Sequence, residues 1–266
     1  MRDGVDGPSN IDEPTFNKII DGVMAFYVPI AKAHGANLTV EKRWTDTTVN
    51  AFADQAGNNW TIHMFGGLAR RPEITPDGFA LVVCHELGHH FGGYAFYPGR
   101  MAWAAAEGEA DYFSTQACAK AVWGHSIEKN ARFRSHVEST SKEACDATYA
   151  NPNERDLCYR SADAGLSLAT LLGTLSGTPV PHIETPDPSV VKSTFVDHPQ
   201  AQCRLDTYFE GALCTKGFDP TVIPGKGPQG GMNNPDAEVA ARNSTCMMRD
   251  NPKAGFRPLC WFKPLI

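Results

Sequence analysis

The chain has 266 residues, of which 42% are hydrophobic and 20% are charged, and its formal net charge is -6. This composition excludes a disordered acidic tail and a collagen-like chain, and it is that of an ordinary globular protein. Because Lys and Arg form no run, the charge pattern lacks the basic patch expected of a nucleic-acid-binding protein. We therefore expect a globular protein with no nucleic-acid partner.

The start of the chain and its hydrophobic stretches predict neither a leader nor a membrane span. Residues 1–14 are polar and turn-rich and lack the apolar core of a signal peptide. The longest uncharged stretch, 164–183, is interrupted by Gly177, Pro179 and Pro181, which leaves too short an apolar run to cross a bilayer. We interpret residues 165–175 as a buried helix and the chain as soluble, in its mature form if it is exported.

Hydrophobic spacing predicts an α+β chain in which helices predominate. Helices are expected over residues 15–33, 76–91, 103–123, 126–139, 163–175 and 203–214. Short runs of β-branched and aromatic residues predict a small sheet from residues 38–44, 49–54 and 60–65. We expect one mainly helical domain over residues 1–217, with a Cys/Gly/Pro-rich irregular extension over residues 218–266 packed on it.

The eight cysteines favour a disulfide framework, because their number is even and none has C-x-x-C spacing. Short intervals favour local bridges between Cys145 and Cys158, Cys203 and Cys214, and Cys246 and Cys260, with Cys84 and Cys118 paired by default, although 105 connectivities exist. Disulfides indicate an oxidising compartment, so we expect a periplasmic or secreted protein. The alternative is a cytosolic protein with several free buried cysteines.

The segment His85-Glu86-Leu87-Gly88-His89 matches the motif H-E-x-x-H and lies on the helix predicted over residues 76–91. Residues four apart on a helix share one face, so His85 and His89 can offer ring nitrogens to one metal ion. Glu86 lies beside them, where a general base is needed. Zinc is the natural occupant of such a site.

A catalytic zinc ion needs a third protein ligand. The metzincin pattern would place a histidine where this chain has Ala95, so the ligand must come from elsewhere. A carboxylate on the next helix is the other common solution, and Glu107 follows His89 by eighteen residues. Asp111 lies one turn beyond Glu107, where it can accept the second ring N–H of His85.

Glu109 is the rival third ligand. It lies about 200° around the helix from Glu107, and Phe113 rather than a carboxylate stands four positions later. We therefore favour Glu107. The alternative for the whole group, a solvated helix face with incidental His and Glu residues, fits poorly with matched i,i+4 pairs on two helices.

With these residues the sequence resembles the HtpX-like and CAAX prenyl endopeptidase family of zinc metallopeptidases, the minigluzincins, whose soluble members include periplasmic proteases. The resemblance covers residues 15–213. It is carried by Asn50-Ala51-Phe52, the strand and Gly-Leu turn at residues 60–68, the H-E-x-x-H helix, Glu107-Gly108-Glu109-Ala110-Asp111, and Asp197-His198-Pro199 followed by Arg204.

The resemblance implies a zincin-like fold with a metal-bearing pair of helices and proteolytic activity. It implies that His85, His89 and Glu107 are the zinc ligands and that Glu86 is the general base. The short link between the two helices and the cysteine-rich tail after Cys214 depart from the family pattern, which leaves substrate selection open.

We therefore expect a zinc-dependent endopeptidase that cuts internal bonds of a protein or peptide substrate. The strand at residues 60–65 is expected at the sheet edge, where Thr61, Ile62, His63 and Met64 would bind substrate as an added strand. The alternative is an ordinary half-buried strand.

Oxyanion stabilisation is assigned to His198 and Arg204, which the resemblance brings toward the cleft, or to Tyr94 or Tyr97. His198 could instead be a fourth metal ligand or a helix cap. Two other functions stay open: a zinc-stabilised binding or inhibitory module that does not cut, and hydrolysis of cell-wall amide bonds.

Overall fold

A computed structural model describes residues 11–251 and 253–266 of the chain. The fold is α+β, with many helices and a small sheet, while the first ten residues of the predicted turn-rich opening lie outside the described part. The helices are α1 (Glu13–Ala33), α2 (Gly66–Ala69), α3 (Pro76–Phe91), α4 (Glu107–Phe113), α5 (Lys120–Trp123), α6 (Ile127–Ala131), α7 (Ser139–Thr148), α8 (Pro152–Ser176), α9 (Ala201–Leu213) and α10 (Pro235–Arg242). The strands are β1 (Asn37–Arg43), β2 (Ala51–Ala56), β3 (Asn59–Phe65), β4 (Lys226–Gly227) and β5 (Gly230–Gly231).

The three predicted strands form one sheet in the order β1-β3-β2. Strand β3 pairs in parallel with β1 and antiparallel with β2. The β2–β3 hairpin turns through Gly57, whose φ of +60° suits a residue without Cβ. Strand β3 is therefore the central strand, and β2 lies at an edge.

The main core lies between α1, the sheet, α3 and α8. Phe16 on α1 stacks on Phe79 of α3 with ring centroids 5.2 Å apart. Ile62 and Met64 of β3 are fully buried against the same cluster. Helix α3 is therefore enclosed along its whole length, which makes it a rigid carrier for the residues of the H-E-x-x-H motif.

Most predicted helices are present, but three have different bounds. The helix expected over residues 126–139 ends as an α-helix at Ala131 and continues as a 3-10 helix to Ser135, and a separate helix, α7, begins at Ser139. The helix expected over residues 103–123 begins at Glu107 and contains a π-helical stretch from Ser114 to Ala119. Helix α8 begins at Pro152 rather than residue 163, because the side chain of Asn151 caps it by accepting from the backbone N–H of Asn153. The segment between Cys145 and Cys158 is consequently mostly helical.

All eight cysteines are paired, as the even count predicts. The bridges Cys84–Cys118 and Cys145–Cys158 are confirmed, whereas Cys203 pairs with Cys260 and Cys214 with Cys246. The expected Cys203–Cys214 and Cys246–Cys260 bridges are wrong. The first pair flanks a helix whose rise over eleven residues is about 16 Å, far beyond disulfide reach.

Both corrected bridges attach α9 to the C-terminal segment. That segment contains the short β4–β5 hairpin and α10, although its sequence shows little periodicity. Trp261 packs directly on Gly108 of α4, where a Cβ would overlap the indole ring. The backbone N–H of Tyr94 donates to the carbonyl of Pro224 at 2.8 Å. The segment thus packs behind α4, and the domain boundary at 217/218 stays a prediction.

Within the described part of the chain, none of the helices combines the length and hydrophobicity required to span a lipid bilayer.

Candidate metal centre

Helix α3 presents His85, Glu86 and His89 as one group whose potential ligand atoms lie within 4.8 Å of one another. The helix starts at Pro76 because Thr75 caps it: the hydroxyl of Thr75 accepts from the backbone N–H of Gly78 at 3.0 Å. The two histidine rings lie one turn apart with centroids separated by 4.8 Å. The predicted helical placement of the motif is therefore correct.

Glu107, the first residue of α4, faces both histidines. Its Oε2 atom lies 3.3 Å from Nε2 of His85, and its Oε1 atom lies 3.6 Å from Nε2 of His89. Zinc bonds of about 2.0–2.1 Å in a tetrahedral site place ligand atoms about 3.3 Å apart. The structure thus brings together two imidazole nitrogens and one carboxylate at a spacing that suits one shared ion.

A buried oxygen supports the fit of a metal ion at this position. Among the described residues, Oε2 of Glu107 has no hydrogen-bond partner, although the side chain is 93% buried. The nearest groups that can carry a positive charge are the rings of His85 and His198, whose Nε2 atoms each lie 3.3 Å away, and a buried carboxylate is costly unless a cation compensates it. The set of two histidines and a glutamate is also one that catalytic zinc sites use.

The second ring nitrogen of each histidine contacts an oxygen. Nδ1 of His85 lies 2.7 Å from Oδ1 of Asp111, and Nδ1 of His89 donates to the carbonyl of Ala105 at 2.8 Å. A proton on Nδ1 leaves Nε2 with a free lone pair toward Glu107. Both rings are therefore oriented with Nε2 toward Glu107, as metal ligation requires.

Asp111 is itself held by two side chains of α9. Nε and Nη2 of Arg204 each donate to it at 2.7 Å, and the hydroxyl of Tyr208 donates at 2.6 Å. Burial alone would raise the pKa of Asp111, but Arg204 and His85 outweigh it and hold the pKa below its usual value. Asp111 is therefore a carboxylate that orients His85.

The charges around the histidines act on them in opposite directions. Burial lowers the pKa of His85, but Asp111 and Glu107 outweigh it and raise the pKa to about 10. Burial also lowers the pKa of His89, and there Glu107 offsets the effect only in part. Without a metal ion, His85 therefore carries the positive charge that balances the two carboxylates.

Small residues allow the two helices to approach closely enough for this geometry. A Cβ at Gly88 would lie 2.7 Å from the Cα of Ala110 on α4, closer than side chains pack. Gly88 occupies a variable position of the H-E-x-x-H motif, yet a larger residue there would push Glu107 away from the histidines. In this chain the position is therefore structurally constrained.

Glu109, the rival ligand, faces away from the histidines. Its carboxylate pairs with Nη2 of Arg257 at 2.9 Å, and both side chains are at least 99% buried. Burial raises the pKa of Glu109, and Arg257 opposes that rise. The structure thus places Glu107 at the candidate centre and Glu109 among residues of the C-terminal segment.

Glu86 lies where two cavities meet. The first has a volume of about 240 Å³, and its lining includes Tyr97, Met101 and Trp103 as well as the histidines. We call it the aromatic cavity. Burial raises the pKa of Glu86 to about 7, with His85 opposing the rise. A carboxylate with such a pKa can accept and return a proton near neutral pH.

The second cavity, of about 110 Å³, lies on the other side of Glu86, and we call it the leucine cavity. Its apolar lining comprises Val49, Leu68, Val82, Leu168, Leu171, Leu172 and Leu175. Both cavities include Asn50 and Ala51, the latter being the first residue of β2. The cleft therefore runs along the edge strand β2 and past Glu86.

The predicted substrate strand is corrected by the sheet order. Thr61, Ile62, His63 and Met64 lie on β3, whose hydrogen-bonding edges are occupied by β1 and β2. Ile62 and Met64 are fully buried, and His63 is held by Asp54 at 2.7 Å. These residues therefore support the sheet and do not form its edge. Local composition predicts a strand but not its place in the sheet.

Of the proposed oxyanion donors, His198 and Tyr97 lie in the aromatic cavity, whereas Tyr94 does not. Nε2 of His198 lies 3.3 Å from Oε2 of Glu107, and the hydroxyl of Tyr97 donates to Oε1 of Glu107 at 3.1 Å. Tyr94 donates instead to Glu238. The guanidinium of Arg204 is buried against Asp111 with Nη2 3.8 Å from Oε2 of Glu107, and Arg204 also lines the leucine cavity.

The segment that carries His198 is fixed by the C-terminal residues. The N–H groups of Val191 and Phe195 donate to the carbonyls of Leu259 and Trp261. The N–H of Glu107 donates to the carbonyl of Val196 at 3.0 Å. His198 nonetheless has a side chain that is 69% exposed, so it can contact a bound substrate.

Sequence reasoning missed two residues of the surroundings, Tyr208 and Arg257. Tyr208 lies four positions after Arg204 on α9, and this i,i+4 spacing places both side chains on one face toward Asp111. That spacing could have identified it. Arg257 lies in a segment without periodicity, and no local pattern connects it with Glu109.

No protein family, curated protein or solved structure matches the chain. What the protein does must therefore be inferred from the chemistry of its own residues.

Proposed function

We propose that the protein is a zinc-dependent endopeptidase in which His85, His89 and Glu107 hold the metal ion and Glu86 is the general base. The observation that carries this proposal is the convergence of the three ligand side chains beside a buried glutamate at the floor of a cleft. A structural zinc site usually has four protein ligands, whereas here three buried side chains converge. The side chain of His198, the candidate fourth ligand, is 69% exposed, which leaves room for a reacting group.

The proposed reaction is hydrolysis of a peptide bond by water. When bound, zinc supplies Lewis acidity, which polarises a carbonyl oxygen and brings the pKa of water from about 15.7 to about 7. Glu86 takes the proton of the attacking water and delivers it to the nitrogen of the leaving amine. The water oxygen first bonds to the carbonyl carbon, and the C–N bond then breaks as the protonated amine leaves, so no covalent intermediate with the protein is needed.

Tyr97 and His198 are the proposed donors to the developing negative charge on the carbonyl oxygen. Both side chains line the cavity that contains Glu86 and reach Glu107 with their polar atoms. Arg204 acts indirectly: its guanidinium donates hydrogen bonds to Asp111, and Asp111 orients His85. A direct role of Arg204 as a donor to the oxyanion is the alternative, since Arg204 also lines the leucine cavity.

The shape of the cleft favours an extended peptide. Strand β2 lies at the sheet edge and contributes Ala51, Phe52 and Ala53 to the aromatic cavity, so a substrate can align along it through main-chain hydrogen bonds. The leucine cavity receives an apolar side chain next to the cut bond. Its 110 Å³ is less than the roughly 150 Å³ of an apolar cavity that holds benzene, so aliphatic side chains fit best.

The resemblance to the HtpX-like minigluzincins and the zincin-like fold that it implies belong to this proposal. They are supported by the helix pair α3 and α4, by the small sheet beside it, and by the placement of His198 and Arg204 around Glu107. Four disulfides are consistent with an oxidising, extracellular or periplasmic location.

The test is zinc analysis combined with a peptide-library digest of the wild type, Glu86→Gln and the control Glu184→Gln, whose side chain is exposed. We expect the wild type to bind zinc and cut, and Glu86→Gln to retain zinc while losing cleavage by a factor of at least about 100. The control should match the wild type. Unchanged cleavage by Glu86→Gln would exclude it as the base, and a wild type that binds zinc but never cuts would favour a non-cleaving binding module.

A further inference from the structure

A cavity of about 440 Å³ lies away from the cleft, and we call it the Lys120 cavity. Its walls come from the end of α5, the first turns of α8 and the residues that follow α9. It shares no lining residue with the aromatic or the leucine cavity. Its volume lies within the range of about 300–1,000 Å³ that small-molecule sites occupy.

The walls of the Lys120 cavity are held in place before any ligand arrives. Cys158, one of its lining residues, is bonded to Cys145. The hydroxyl of Tyr149, another lining residue, donates to the carbonyl of Ala212 at 2.7 Å. These links join α7, α8 and the end of α9, so the cavity is preformed and costs little ordering on binding.

Lys120 places one ammonium group among apolar side chains. Nζ donates to the carbonyl of Cys214 and lies 5.7 Å from the ring centroid of Tyr149. An ammonium carries three N–H donors. In the described part of the chain, the carbonyl of Cys214 accepts one hydrogen bond from Nζ of Lys120. Two donors are therefore available to a ligand.

The charge of Lys120 has no carboxylate against it. Within the described residues it forms no ion pair, although the exposed Glu154 also lines the cavity and acts on Lys120 through its charge. Burial lowers the pKa of Lys120 to about 7. An anion in the cavity would offset that desolvation and favour the charged amine.

The other lysine of the lining points its charge elsewhere. Nζ of Lys216 donates to the carbonyl of Arg242 and lies 3.9 Å from a carboxylate oxygen of Asp250. Lys216 therefore contributes to the wall but not to the charge inside. The apolar part of the wall includes Ile127, Leu157 and Ala212.

We propose that the Lys120 cavity binds a small organic anion, with its carboxylate on the ammonium of Lys120 and its apolar body against Ile127, Leu157 and Ala212. One half-buried cation in a cavity with a mostly apolar surface is complementary to one anionic group on an apolar body. This site is independent of the peptidase activity proposed above.

The test compares octanoate with 1-octanol, which has the same chain length and no charge, by isothermal titration calorimetry. We expect octanoate to bind the wild type about tenfold or more tightly than octanol, as a charge-assisted hydrogen bond requires. Lys120→Met should lose this preference, whereas the control Lys216→Met should keep it. Ile127→Trp, at an exposed position of the lining, should weaken both ligands by narrowing the cavity.

A carboxylate can also ligate zinc, so His89→Ala is titrated in parallel. Binding that persists in His89→Ala and disappears in Lys120→Met supports the site. Loss of octanoate binding in His89→Ala would place the anion at the metal centre and overturn the proposal. It would also be overturned by a wild type that does not bind octanoate, or by Lys120→Met binding it as tightly as the wild type.

Discussion

Oδ1 of Asp111 lies 2.7 Å from Nδ1 of His85, while the other ring nitrogen of His85, Nε2, faces Glu107. This relationship links the candidate ligands to α9, because Arg204 and Tyr208 hold the same carboxylate. The ligand geometry therefore depends on a helix that contributes no ligand.

Replacing Asp111 by Asn should lower zinc affinity by about 10- to 100-fold, because the ring of His85 loses the carboxylate that orients it. Competition with a chromogenic chelator measures the affinity. Asp21→Asn, which alters an exposed ion pair with Lys42, serves as the control and should have no effect. Equal affinity of Asp111→Asn and the wild type would contradict the orienting role.

Substitution of Glu107 should affect zinc binding, whereas substitution of Glu109 should affect the free energy of unfolding. Glu107→Ala removes a ligand, so zinc should be lost while the fold persists. Glu109→Ala leaves Arg257 buried without its partner, which should cost about 3 kcal/mol of unfolding free energy and leave the bound zinc in place. Urea unfolding and metal analysis of both variants provide the comparison, and zinc loss confined to Glu109→Ala would reverse our ligand assignment.

The leucine cavity should determine which side chain is accepted next to the cut bond. Leu172 is only partly buried, so Leu172→Phe can fill the cavity at little cost to the fold. We expect this variant to cut peptides with Leu or Ile at that position about tenfold more slowly and to retain those with Ala or Gly. Identical preferences in variant and wild type would show that the cavity does not contact the substrate.

Two disulfides should have different effects on the metal centre. By loop entropy, removal of Cys203–Cys260 should cost about 4 kcal/mol and removal of Cys145–Cys158 about 3 kcal/mol, as paired Cys→Ser variants. Only removal of Cys203–Cys260 should also weaken zinc binding. Cys203 directly precedes Arg204 on α9, and Arg204 holds the carboxylate of Asp111 that orients His85. Thermal unfolding and chelator competition test both effects, and equal zinc affinities in the two variants would argue against the coupling.

The free energy of unfolding should fall at acid pH, partly because Asp77, near the start of α3, becomes protonated. Burial alone would raise its pKa, but two hydrogen bonds from Arg160 and the charge of Lys129 hold the pKa below 3.8. A lowered folded-state pKa contributes stability above the unfolded-state pKa, and that contribution is lost as pH falls through the folded-state pKa.

The comparison of wild type with Asp77→Asn tests this contribution. At pH 7 the variant should be less stable by about 3 kcal/mol, because Arg160 is left buried without its counter-charge. The difference should shrink below about pH 3.8, where Asp77 of the wild type begins to protonate on unfolding. Urea unfolding at both pH values measures it, and a constant difference would exclude Asp77 as the titrating group.

The local parts of this molecule could be predicted from sequence because they depend on spacing. The H-E-x-x-H helix, the facing pair Glu107 and Asp111, and the three strands all follow from periodicity within about twenty residues. The place of β3 in the sheet could not be predicted, because both β2 and β3 carry strand-forming residues and only tertiary packing decides which is central.

The disulfides show the same division between local and distant information. Cys145 and Cys158 lie close in the chain and pair as expected. The short interval between Cys203 and Cys214 predicts a bridge too, but each of them pairs with a distant cysteine. The helix predicted between them already forbids that bridge, since it keeps their Cα atoms too far apart. A helix over residues 203–214 and a Cys203–Cys214 bridge are therefore incompatible.

The bridges from α9 to the C-terminal segment also determine the order in which the molecule can be completed. The ribosome makes the chain from its N-terminus, so the ligands on α3 and α4 emerge long before Cys246 and Cys260. Both of the cysteines that anchor α9 have their partners only once Cys260 is added, when six residues, 261–266, remain to be made. A chain that ends before Cys246 would carry all three candidate metal ligands together with two unpaired thiols, one on α9 and one directly after it.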